Sequence, residues 1–116
     1  MSYVDGFVIA VPTAKKEAYL KMAQESVPVF KKYGALRLVE NWGVDVPEGE
    51  LTSFPMAVQL KPDETVVFSW IEWPSKEVRD TGMEAAMEDP FFAQEDAMPF
   101  DGKRMIFASF ETILDA

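Results

Sequence analysis

A chain of 116 residues with 48% hydrophobic and 27% charged residues has the make-up of one globular domain, spanning residues 1–116, with enough buried surface for a real core. Its acidic balance, a net charge of −9, repels a phosphate backbone, so nucleic acid is not an expected partner. It has no cysteine and no histidine, which excludes disulfides, a Cys nucleophile, a Ser-His-Asp triad, a His-ligated haem and a Cys/His zinc site.

No metal and no cofactor are therefore expected. The start, Met1-Ser2-Tyr3-Val4-Asp5-Gly6, lacks the basic stretch and apolar run of a signal peptide. No apolar run approaches the roughly 20 residues that span a bilayer. The expectation is a cytoplasmic protein with no membrane partner.

Residues 3–11 are rich in β-branched and aromatic side chains and predict a first strand, ended by Pro12. Thr13 is placed to cap a helix beginning at residue 14. Over residues 14–33, Tyr19, Met22, Ala23, Val27, Phe30 and Tyr33 recur at spacings of three and four, the period of one helix face. Gly34 is a natural stop. Pro28 predicts a kink near residues 24–28 but not a second helix, because the apolar spacing runs in phase across it. Residues 35–42 predict a second strand and residues 43–50 a loop. Residues 53–60 fit an edge strand or a short helix capped by Thr52 or Ser53; Pro55 in a first turn favours the helix. Residues 65–73 give the clearest strand. Ser75 can cap a helix over 76–88, stopped by Asp89-Pro90. Residues 91–103 form a long connection ending in a turn at Pro99–Lys103, and residues 104–113 a last strand.

The order βα-ββ-αβ predicts an α+β fold: one antiparallel four-stranded sheet with two helices on one face. Such a sheet should alternate between apolar and polar residues if its other face met water. It does not. Val66, Phe68 and Trp70 oppose Val67, Ile71 and Trp73; Val4, Val8 and Ala10 oppose Tyr3, Phe7, Ile9 and Val11; Ile106, Ala108 and Phe110 oppose Met105, Phe107 and Ile113. Two helices cover one face. A second copy packed face to face is the simplest cover for the other, so a homodimer is expected. The alternative cover is residues 44–64 and 91–103.

Four stretches carry a resemblance: Tyr3–Val8, Phe68–Glu72, Pro74–Asp80 and Met98–Ile106. Through them the chain resembles the YbaA-like family of bacterial proteins, which carries a domain-of-unknown-function label, over essentially its whole length. The resemblance implies a ferredoxin-like protomer and a dimeric α+β barrel. Other branches of that superfamily include cofactor-free monooxygenases, lactone isomerases, haem-degrading enzymes and proteins without known activity. The aromatic-Gly-Gly-aromatic run that comes after Arg-Met-Ile in the family reads Phe107-Ala108-Ser109-Phe110 here. If those glycines leave room for a ligand, the bulkier residues narrow it.

What remains is carboxylate, amide, aromatic and cationic chemistry. Arg37 lies mid-strand, where a guanidinium needs a carboxylate partner; Asp5 is the first candidate and Glu40 the second. Trp42 and Trp70 are core anchors or stacking surfaces. Asn41 beside Trp42 is similar to the amide-plus-tryptophan pairs of the cofactor-free monooxygenases. Lys103 and Arg104, beside a turn, could hold an anion. Lys76 and Asp80 stand four apart on a helix, the spacing of a surface ion pair. Glu84, Glu88, Asp89, Glu95 and Asp96 lack calcium-loop spacing and read as solvated acid. Two functions stay open. One is a small-molecule enzyme or binding protein with a pocket between sheet and helices lined by Asp5, Arg37, Asn41, Trp42 and Trp70. The other is a non-catalytic interaction or regulatory homodimer. A cavity between sheet and helices separates them.

Overall fold

A computed structural model describes residues 2–93 and 98–116. Its strands are β1 (Tyr3–Pro12), β2 (Arg37–Trp42), β3 (Glu64–Trp73) and β4 (Ile106–Glu111), and its helices are α1 (Lys16–Lys32), α2 (Phe54–Ala57) and α3 (Lys76–Met87). The strands form one antiparallel sheet in the order β2-β3-β1-β4. This is the ferredoxin-like α+β arrangement expected from the βα-ββ-αβ order.

Local chemistry sets the helix ends. α1 runs unbroken through Pro28. At its end Gly34 adopts φ +110°, and the Ala35 N–H reaches back to the Phe30 carbonyl, a closure that glycine permits cheaply. Thr13 does not cap this helix. Its hydroxyl bonds to that of Thr65 at 2.7 Å, and a single 3-10 turn, Thr13–Lys15, precedes α1. Residues 53–60 resolve in favour of the helix: Ser53 caps α2 by accepting from the Met56 N–H, with Pro55 in the first turn. Ser75 caps α3 in the same way through Val78.

Register sorts the side chains. Asp5, Phe7, Ile9 and Val11 face α1 and α3 together with Val67, Ser69, Ile71 and Trp73 from β3 and Leu38, Glu40 and Trp42 from β2. The core forms here, around Ile9, Val11, Tyr19, Phe30, Val67, Ile71, Trp73 and Ala86, all under a tenth exposed. From the connection after α3, Phe92 packs near Phe30 on this side, and Phe100 and Met105 near Tyr19. α3 lies close because residue 82 is glycine. A Cβ there would sit 2.3 Å from the Tyr33 carbonyl oxygen and 2.6 Å from the Trp73 ring.

The second face is only partly covered. Val58, Val46 and Leu60 close one end over Ala10 and Val66, so the 44–64 segment does part of what it could have done. Phe91, Phe92, Met98 and Phe100 of the 91–103 segment lie on the helix side instead. Phe68, Ile106 and Phe110 remain about half exposed within one chain.

Candidate functional site

The side chains do not fill the space between α1 and the sheet. A partly open cavity of about 130 Å³ remains, floored by Phe7, Ile9, Leu38 and Ile71 and bounded on the α1 side by Met22 and Phe30. Its lining is largely apolar, with one polar cluster made by Tyr19, Glu40 and Ser69. Each arrives from a different element. Tyr19 is part of the apolar stripe of α1, is 4% exposed, and meets the Phe100 ring edge-on at 5.9 Å. Glu40 sits on the edge strand β2, on the face of Leu38 and Trp42, and Ser69 is its cross-strand partner on β3.

The Tyr19 hydroxyl donates to Glu40 Oε1 at 2.7 Å. Surrounding protein atoms raise the Glu40 carboxyl pKa above its ordinary value, and hydrogen bonding from Tyr19 and Ser69 pulls it partly back. The residue as a whole is nonetheless exposed on its edge strand. Burial first, and then the Glu40 charge, push the Tyr19 phenol well above its usual range, so it stays protonated and donates. Ser26 also lines the cavity, but its hydroxyl is bonded to the Ala23 carbonyl at 2.7 Å. Among the described residues no lysine or arginine lines the cavity. The chemistry on offer is an apolar chamber with a carboxyl acceptor at one wall.

None of the five residues expected to line a pocket between sheet and helices lines this cavity. Asp5 faces the helices but is consumed in a buried network. It accepts one bifurcated hydrogen bond from Arg79 Nε (3.0 and 3.1 Å to its two oxygens) and one each from Arg79 Nη2 (2.9 Å), Trp73 Nε1 (2.9 Å) and Ser109 Oγ (2.6 Å). Arg37, Asn41 and Trp70 are on the opposite face of the sheet. Arg37 is exposed and pairs with Glu72 at 3.0 Å, not with Asp5 or Glu40, because β3 lies between β1 and β2 and puts Glu72 directly opposite it. Asn41 donates to the Phe68 carbonyl, and Trp70 Nε1 to Glu72. Trp42 does face α1, yet it packs near Tyr19 beneath Lys16, whose Nζ stands 5.3 Å from the ring centroid.

The anion site at Lys103 and Arg104 also falls. The Arg104 guanidinium is taken up by Glu64 (2.6 and 2.8 Å), Asp101 and the carbonyls of Val58 and Gln59. Lys76 and Asp80 form the expected ion pair at 2.6 Å. Asp89 is not merely solvated, since it accepts from the Tyr33 hydroxyl and the Phe91 N–H; Glu95 and Asp96 lie outside the described residues. Ala108 and Ser109, where the family resemblance suggested narrowing, do not line the cavity. Tyr19, Glu40 and Ser69 were missed. Alternation already put Glu40 with Leu38, and the α1 period already put Tyr19 inward, but only the sheet order joins them.

Among the described residues no helix is long and apolar enough to cross a membrane. The chain is 57% identical over 116 residues to the uncharacterized protein YbaA of Escherichia coli K12, covering 99% of each. Solved structures share the fold at low identity. A dimeric ferredoxin-like protein from an uncultured marine organism matches with a TM-score of 0.63 at 12% identity over all of both chains. SnoaB, a cofactor-independent oxygenase from Streptomyces nogalater, matches with a TM-score of 0.56 at 12% identity over 98% of this chain and 95% of that one. The family model described as protein of unknown function, DUF1428, matches residues 2–102, and the chain belongs to that family.

Proposed function

We propose that the cavity between α1 and the sheet binds a small, largely apolar organic molecule, with the molecule's polar group set against the Tyr19–Glu40 pair. The observation that carries this reading is a chamber of about 130 Å³ left open beside a hydrogen-bonded carboxyl. Well-packed cores leave few voids of that size, and a dry apolar cavity of about 150 Å³ is enough to take benzene. Met22, Met98 and Met105 line the cavity, whereas Met56 and Met83 do not, which makes methionine methyl NMR a local reporter. Titration with fluorobenzene should shift the first three signals saturably and leave the other two in place. Ala23→Phe, which fills the chamber from α1, should abolish the shifts. Unchanged Met22 and Met105 signals up to the solubility of the probe refute the reading.

The open sheet face favours a second reading, a homodimer whose role is interaction. Phe68, Ile106 and Phe110 are about half exposed there, and a copy packed on them would bury a continuous apolar patch. Light scattering at micromolar concentration should give twice the 13.1 kDa protomer mass, and Phe110→Glu should return it to the protomer value. The two readings are compatible, because the cavity and the patch lie on opposite faces of the sheet.

A further inference from the structure

We infer that the molecule taken by the cavity is a neutral hydrogen-bond donor, a single-ring phenol or alcohol, and that aromatic carboxylates are rejected; this rests on the cavity being a binding site. The polar groups that reach the chamber select for a donor. Glu40 is its anionic group, and among the described lining residues no cation accompanies it. Of the donors, the Tyr19 hydroxyl is committed to Glu40 Oε1 and the Ser26 hydroxyl to the Ala23 carbonyl. Ser69 is the cross-strand partner of Glu40 and lines the same wall. The wall therefore presents acceptor capacity. A carboxylate has about four lone-pair sites, and neighbouring side chains use only part of them.

A ligand O–H completes that set. A ligand carboxylate instead brings a second negative charge beside the first with no cation between them, and burying an unpaired charge is costly. The chain's net charge of −9 adds a field of the same sign. The cavity volume limits the match to about one ring.

Three probes of nearly the same size test the inference on the full chain: phenol, fluorobenzene and benzoate, each titrated at pH 7.5 and read at the Met22 and Met105 methyl signals. Benzoate is expected to bind at least about tenfold more weakly than phenol, equivalent to about 1.4 kcal/mol, and phenol more tightly than fluorobenzene. Glu40→Gln keeps an acceptor oxygen for Tyr19 and for the ligand but removes the charge. It should narrow the gap between phenol and benzoate while retaining phenol binding. Fluorobenzene binding as tightly as phenol, or benzoate binding as tightly as phenol to the unaltered chain, overturns the assignment of ligand class and leaves the cavity reading intact. A phenol–benzoate gap unchanged by Glu40→Gln also overturns it. Absence of binding by all three overturns both.

Discussion

Breaking the pair between Asp5 and Arg79 should give an asymmetric loss of stability. Asp5 is 3% exposed and cannot be rehydrated where it sits. Arg79→Met removes its charged partner and leaves a buried carboxylate with two neutral donors, Trp73 Nε1 and Ser109 Oγ. Breaking a buried pair from one side costs about 3–5 kcal/mol. The reverse change is milder. Arg79 keeps about a quarter of its side chain exposed and already bonds Asp80 at 3.1 Å, so in Asp5→Asn the guanidinium can turn toward Asp80 and water. The new amide oxygen still accepts from Trp73. That variant should lose about 1–2 kcal/mol, the scale of weakened charged hydrogen bonds. In the double variant the stranded carboxylate is gone, so its loss should be smaller than that of Arg79→Met alone, with an interaction energy of about 1–3 kcal/mol. Urea unfolding measures this, at one fixed protein concentration because self-association adds to apparent stability. Losses that add within about 0.5 kcal/mol, or an Arg79→Met loss below about 0.5 kcal/mol, refute the reasoning.

Other contacts lead to three more expected outcomes. Arg37→Met should change protomer stability by less than about 0.5 kcal/mol, because its pair with Glu72 is largely solvent-exposed; a larger loss that vanishes on dilution would place Arg37 in an interface between copies. Hydrogen bonds from Arg104 hold the Glu64 carboxyl at about 2, below its ordinary 4.5. A folded-state value below the unfolded one means the pair stabilises fully above pH 4.5 and that this contribution fades as the pH falls toward 2. Glu64→Gln should flatten that part of the acid limb in urea midpoints, though not remove it, since Asp101 and Asp89 are also held low; an unchanged slope would count against it. Gly82→Ala should destabilise by about 1–3 kcal/mol in thermal unfolding despite alanine's higher helix propensity, because the added methyl meets a backbone carbonyl and a buried ring.

The fold was legible because its signals are local. The β-branched runs, the α1 period, the caps at Ser53 and Ser75 and the stop at Gly34 each act within a few residues. The site was not, because it depends on which strand lies beside which. Pairing Arg37 with Asp5 assumed that β1 and β2 are neighbours; the antiparallel pairing of β2 with β3 instead sets Arg37 against Glu72. Strand parity could have caught one error, since Arg37 and Asn41 share a face and Trp42 points the other way, so no single pocket could be lined by all three. Asp5 and Arg79 are 74 residues apart, and no spacing rule reaches between them. Tyr19 read correctly as part of one helix face, yet its hydrogen bond to Glu40 exists only once α1 is laid across β2 and β3.

The sheet order also has a consequence for how the chain is made. β1 occupies an interior position, flanked by β3 on one side and by β4 on the other, and its partner in β4 runs from Ile106 to Glu111. Within this sheet the first strand to be synthesised is thus completed by the last. Until the chain has been synthesised past residue 111, the Tyr3–Val8 edge of β1 has unpaired N–H and C=O groups, the kind of edge that recruits stray strands. Closure between segments about a hundred residues apart is also slow. A product truncated ahead of Ile106 keeps that edge open permanently and should partition into aggregates, which makes the last strand the step at which a nascent chain is committed to the native sheet.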